Sequence, residues 1–404
     1  MSNINRAAAT VDREAGVAFT ARNATLGDLA AVLKEQHGRK IDVVAPATAI
    51  RSDAGTWVVE NAEPVIDADG VGVADGHYVP TGHADNNLAQ RLEIPRAYLR
   101  RLREQRVDLY DANVNGWLHG VDAETRYLDG SVTEGSYLGD ARSFMVRAFR
   151  GDDGVGIARA FLSDRYRIVD NLDVLTAALG GLREAGVDVE IESADLSETR
   201  MYVRVAAPSV YELAPDLLDG YRSPFTGATG VDNPVISAGF VISNSEVGHG
   251  AMTIVPRLRV EVCKNGMTIA KDALRAVHLG SRLDEGVIRW SDETQQANLD
   301  LVRRQAADAV TTFLDVDYMK AKIAEMRTLA GKPVDKPADA VKHVAKTLAY
   351  GEAAADDILN HFIAGGQQTA MGLANAITSF AQTITDPDRA ASMEADAMQV
   401  LSLV

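Results

Sequence analysis

The stretch whose reading decides the fold is Ser143–Ser163, SFMVRAFRGDDGVGIARAFLS. Phe144, Val146 and Ala148 alternate with Met145, Arg147 and Phe149, which is the period of two that a strand requires. The run Gly151-Asp152-Asp153-Gly154 is made of turn formers, and Val155–Leu162 then resumes the strand pattern, so the stretch reads as a β-hairpin. Downstream, Leu172–Ala185 reads as a helix capped by Asn171 and ended by Gly186. Val187–Ser193, Arg200–Val205, Ile236–Ser243 and Met252–Cys263 read as further strands. Strands follow strands with one helix between them. That order predicts an α+β fold, an antiparallel strand-rich centre with helices on one face, rather than a doubly wound parallel sheet.

The flanks differ in texture, so three regions are expected. Residues 1–142 are a mixed α/β region. A helix Leu26–Lys34 follows the N-cap Thr25; then come short strands at Ile41–Val44 and Trp57–Val59, a hairpin-like stretch Val65–Pro80, and a basic helix pair at 88–106. Residues 143–270 form the strand-rich centre. Residues 271–404 are helical: a long amphipathic helix starts at an N-cap Ser291 and carries Leu299, Val302, Ala306, Val310, Phe313 and Leu314 on one face. A linker is expected near 331–337, and Gly365-Gly366 and Asp386-Pro387 break the helices beyond it.

Composition narrows the function classes. The 404 residues carry a net charge of −16, so the overall field repels polyanions and any contact with nucleic acid must be local. The longest apolar runs fall short of the roughly 20 residues that span a bilayer, and residues 1–22 lack the apolar core of a signal peptide. A cytoplasmic protein of a bacterial host cell, with no membrane partner, is expected. The one cysteine, Cys263, rules out an intramolecular disulfide; set among Val260, Val262 and Met267, it reads as a buried, inert thiol.

Catalytic signatures are missing. No Walker-type phosphate loop, no H-E-x-x-H and no G-x-S-x-G occurs, and Gly154-x-Gly156 lacks the third glycine of a dinucleotide fingerprint. His77 and His83 with Asp75 and Asp85 are the nearest approach to a ligand set, but a polar surface turn accounts for them better. No catalytic residue, metal or cofactor is expected; a non-enzyme is the leading reading, and an enzyme with a dispersed carboxylate or histidine site, which leaves no local motif, is a further alternative.

Basic residues concentrate in two places. In Leu88–Arg106, LAQRLEIPRAYLRRLREQR, a short helix, a break at Glu93-Ile94-Pro95 and a second helix with apolar Tyr98, Leu99 and Leu102 make a helix-turn-helix pattern. Glu93 stands where the usual turn glycine would be, and Arg96, Arg100, Arg101 and Arg103 are left for a DNA groove. A plain helical hairpin with a solvated basic face is the alternative. The second concentration lies on the strands: Arg147, Arg150, Arg159, Arg165, Arg167, Arg204, Arg257, Arg259 and Lys264, with Tyr166, Phe161 and Phe149 among them. Cations for phosphates and an aromatic face for a base are what a single-strand groove needs; a charged outer sheet face with cross-strand pairs would look the same.

Several stretches resemble a known family. They are Phe161–Arg167 (FLSDRYR) running into Asp170-Asn171, Ile242-Ser243-Asn244-Ser245, Arg257–Asn265 (RLRVEVCKN) and Thr369–Ala381 (TAMGLANAITSFA), together with LAQRLEIPRAYLRRL and Asn113–Leu118 (NVNGWL). In this order, from about residue 85 to the C-terminus, they resemble the phage/plasmid-like protein family catalogued as domain of unknown function 932. The resemblance implies a protein of a bacteriophage or other mobile element and carries no catalytic residues over. The expected function is therefore non-catalytic DNA metabolism, with single-stranded DNA bound or annealed by a homo-oligomer. The alternative is a self-assembling structural or interaction component of a phage that binds no nucleic acid.

Overall fold

Thr10–Glu14 and Val17–Ala24 form a hairpin that begins the larger of two main sheets. In the computed structural model, which describes residues 4–62, 65–67, 70–72, 75–126, 128–166, 168–276 and 292–404, this sheet continues through Glu190–Leu196, Met201–Leu213, Val235–Asn244, Met252–Val260 and Asn265–Thr268, all antiparallel. Leu274–Ala276 also pairs with Met252–Val260. The smaller sheet runs in the order Lys40–Pro46, Ser143–Phe149, Val155–Ser163, Gly76–Pro80, Thr56–Val59, Ile50–Asp53, and its one parallel pair joins Val155–Ser163 to Gly76–Pro80. The α+β class expected from the sequence is what the chain adopts.

The hairpin at 143–163 forms as read, with Val146 opposite Phe161. Its place is different. Ser143–Phe149 pairs with Lys40–Pro46, so the hairpin completes the small sheet, while residues 10–24 join the large one. The expected boundary at 142/143 therefore does not separate two units; backbone hydrogen bonding crosses it in both directions. The expected linker at 331–337 is likewise packed: Val334 is buried, its amide donates to Gln368 O at 3.0 Å, and Pro333 bridges to Thr369.

Alternation along the strands sorts the large sheet into two unlike faces. On one, Val203, Val205, Ile236, Phe240, Ile242, Ile254 and Leu258 pack with the helices Leu26–Arg39, Asn171–Ala185 and Asp292–Phe313. Thr25 caps the first of these through a full capping box with Asp28. Asn171, expected as a cap, is instead the first helical residue behind Asp170, which frees its side chain for Asn244. Val302, Ala306, Val310 and Phe313 are buried along the third helix, as their spacing predicts, whereas the expected cap Ser291 lies outside the described residues.

The other face is polar. It carries Arg22, Asp195, Arg204, Arg257 and Arg259, and the C-terminal helices lie against it. Pro387–Leu403 brings Glu394 to that face, and every residue of Ala370–Ala381 is buried beneath it. These helices hold a core of their own around Val341, Ile358, Phe362, Ile377, Phe380 and Val400. Among the described residues, no helix is long and apolar enough to cross a membrane.

Candidate nucleic-acid interface

The basic helix pair is built on the small sheet. Gly82–Arg91 starts at Thr81, whose Oγ1 accepts from Ala84 N at 3.1 Å. It ends in a Schellman turn: Ile94 N donates to Ala89 O at 2.8 Å, Glu93 N donates to Gln90 O at 3.4 Å, and Ile94 tucks into the core. Glu93 adopts φ +57°, the left-handed conformation that a turn glycine usually supplies. The second helix, Arg96–Gln105, buries Leu99 and Leu102, and a third, Val107–His119, follows at once.

Helical periodicity then divides the arginines. Arg103 points inward: its guanidinium pairs with Asp85, donates to Gly55 O at 2.7 Å and lies 4.0 Å from the ring centre of Tyr110. Tyr110 donates its hydroxyl to Asp85 at 2.7 Å and accepts from Trp57 Nε1 at 3.0 Å. Burial raises the Asp85 carboxyl while Arg103 pulls it back, and burial with Asp85 beside it raises the Tyr110 phenol. Arg103 thus fastens the helix to the sheet and is not offered to a ligand as the sequence suggested. Arg96, Arg100 and Arg101 are exposed. Among the described residues, Arg96 and Arg101 donate only to the side-chain amides of Gln90 and Gln105 (2.9 and 3.1 Å). Tyr98, read from sequence as part of the apolar stripe, is 48 % exposed on the same outer surface, because Leu99 and Leu102 alone fill the contact.

The strand arginines are a correction. Arg257 is buried and pairs with Glu192 and, at 3.7 Å, with Glu394; Arg259 is buried between Glu192 at 3.3 Å and Glu261 at 3.1 Å. They belong to one alternating chain across the polar face, Arg22–Asp195–Arg204–Glu394–Arg257–Glu192–Arg259–Glu261. Each cation in it has a carboxylate, so none faces a phosphate. Although burial raises the Glu192 and Asp195 carboxyls, the arginines beside them hold both below the ordinary range. The chain also explains Gly266: a Cβ there would stand 1.8 Å from Arg257 Nε.

Arg159 belongs to a second buried cluster, where the two sheets meet. It pairs with Glu246 and lies 4.1 Å from the ring centre of Phe149. Beside it, Arg147 holds Asp42 at 2.6 Å and Asp170 at 2.8 Å, and Lys40 reaches Asp170 at 2.5 Å. Asn171 N donates to Glu246 at 2.8 Å, and Asn244 Nδ2 donates to Asn171 Oδ1 at 2.9 Å. Burial acts to raise the Asp170 carboxyl, but Arg147 and Lys40 hold it well below the usual carboxylate range. The motif residues Asp170, Asn171 and Asn244, far apart in sequence, thus serve one clamp between the sheets.

The remaining positions scatter. Tyr166 packs its ring with Met145, Leu162 and Val247 and is half-buried, so it is no open stacking platform. Arg165 is exposed in the turn after Ser163, and Arg167 lies outside the described residues. Lys264 is exposed at φ +55° in the turn before Asn265–Thr268. Cys263 is fully buried, which pushes its thiol up to about 12. Of the histidine–aspartate set, Asp75 accepts from Asn61 N and Ala62 N, Asp85 serves Arg103, and His83 Nε2 lies 2.9 Å from Val247 O. Among the described residues, no three His, Cys, Asp or Glu side chains gather as metal ligands.

No family model, curated protein or solved structure matches the chain.

Proposed function

We propose that this chain is a non-catalytic DNA-metabolism protein of a phage or other mobile element that holds a nucleic-acid backbone with the helix Arg96–Gln105. One observation carries the reading. Arg91, Arg96, Arg100 and Arg101 fall within one helix pair and have no carboxylate partner among the described residues, while the arginines of both sheet interiors are neutralised. Burial first, and the neighbouring Arg142 guanidinium second, lower the pKa of Arg91. The exposed Tyr98 adds an aromatic face beside these cations.

Binding is expected to weaken steeply with salt, because each neutralised phosphate releases counterions. Replacing Arg100 and Arg101 together with alanine should reduce the slope of log K against log[salt] by about 1.4–1.8, at roughly 0.7 per contact on single strands and 0.9 on duplex. Both arginines are exposed, so the fold should survive. Titrations with single- and double-stranded DNA that detect no binding at low salt would remove the reading.

A second reading has its own observation. The ribbon Gly120–Arg126/Val132–Leu138 pairs with no other strand among the described residues, and it exposes Val121, Tyr137 and Leu138 next to an exposed Trp117. A two-stranded ribbon is marginal by itself, so these residues favour self-association of a homo-oligomer. Light scattering on the wild type and on a Trp117→Ser/Tyr137→Ser variant tests it; a monomer in both cases removes it.

A further inference from the structure

The two helices of the basic pair do not close on each other. Between them lies a cleft of about 250 Å³, walled by Pro80, Gly82, Asn86, Arg96, Leu99 and Arg100. Arg96, Arg100 and Arg103 are spaced at i, i+4 and i+7, so they share one stripe of the second helix and all border the cleft. Arg103 is already matched by Asp85 at the back, and Glu104 stands on the border. Three guanidiniums against two carboxylates leave one net positive charge. The two guanidiniums without a carboxylate among the described residues are those of Arg96 and Arg100.

The first amides of the helix Gly82–Arg91 do not supply this charge, since Thr81 Oγ1 caps Ala84 N and the Glu198 carboxylate accepts from His83 N. An anion in the cleft would be held by the arginines, whose planar forks match phosphate oxygens. The rest of the wall suits a base. Leu99 and Pro80 close its buried floor, and the Asn86 side-chain amide offers both a donor and an acceptor to a base edge. The volume lies below the roughly 300–1,000 Å³ of ordinary ligand pockets. It can seat one nucleotide but cannot pass a strand through.

We infer that this cleft is a mononucleotide subsite that takes the phosphorylated end of a nucleic-acid strand, with the phosphate on Arg96 and Arg100 and the base beside Asn86. The inference rests on the nucleic-acid reading above and adds what that reading leaves open, a preference for strand ends. The chemistry is that of a nucleoside monophosphate, which reaches the cleft either as a free nucleotide or as a strand terminus.

The test uses the full chain and two 3′-labelled oligonucleotides of one sequence, one with a 5′-phosphate and one with a 5′-hydroxyl, with dAMP and inorganic phosphate as competitors. The 5′-phosphorylated strand should bind about tenfold tighter, the scale of one set of charge-assisted hydrogen bonds. dAMP should displace it better than inorganic phosphate does. Arg100→Gln should abolish the preference, whereas Arg101→Gln, which does not border the cleft, should weaken both strands alike and keep it. Equal affinity for the two strands without competition by dAMP would overturn the subsite and leave the backbone interface standing. Equal competition by inorganic phosphate and dAMP would overturn the role given to Asn86. Binding of dAMP without binding of either strand would keep the cleft as a free-nucleotide site and overturn the DNA reading. No binding of any of these would overturn both.

Discussion

Arg257→Met separates a structural arginine from a phosphate ligand. The side chain is 3 % exposed and faces Glu192 and Glu394, which are 18 % and 7 % exposed. Removing one partner of a buried ion pair costs about 3–5 kcal/mol, mostly through the charge left behind. Here each carboxylate keeps a second cation, Arg259 for Glu192 and Arg204 for Glu394, and methionine refills much of the volume. The lower end, about 3 kcal/mol of destabilisation, is therefore expected. Urea unfolding followed by two independent probes measures it, the second probe checking that the transition is two-state. In the same protein the salt slope of DNA binding should match the wild type, because Arg257 meets no phosphate. Stability within about 0.5 kcal/mol of wild type, joined to a slope lower by about 0.7–0.9, would refute the buried-chain account and return the strands to the DNA interface.

Two further outcomes are expected. His361 is buried between Phe225 and Phe380 with Nδ1 2.7 Å from Ser379 Oγ, and burial lowers its pKa to about 4. A histidine whose folded pKa is depressed stays neutral while the unfolded chain takes up a proton. Its contribution is therefore intact above about pH 6.5, falls by up to about 3 kcal/mol as the pH drops towards 4, and changes no further below that. His361→Phe should remove this part of the acid limb in unfolding titrations, and parallel limbs for variant and wild type would contradict it. Glu93→Gly should stabilise the helix turn by about 0.5–1 kcal/mol, because the residue already sits at φ +57°. A destabilised variant in thermal unfolding would show that the Glu93 side chain contributes more than the backbone strain costs.

Local patterns were legible in the sequence because they depend on near neighbours. The alternation in Phe144–Phe149 and the turn at Gly151–Gly154 specify a hairpin whatever surrounds it, and Thr25 caps its helix through a residue three positions away. The helix pair, its break at Glu93-Ile94-Pro95 and the exposed arginines of the second helix were legible for the same reason. Which sheet the hairpin would join was not, since a period-two strand carries no mark of its partner and Lys40–Pro46 lies about 100 residues away in the chain. The arginines of the polar face misled for a sharper reason. A charge in a sequence looks free until its counter-charge is found, and Coulomb attraction acts through space: Asp195 meets Arg22 from 173 residues away, and Glu394 meets Arg204 from 190. Only the packing of the C-terminal helix on the sheet brings those carboxylates in. Tertiary structure therefore decided which cations are neutralised inside the fold and which, on Arg96–Gln105, remain at the surface.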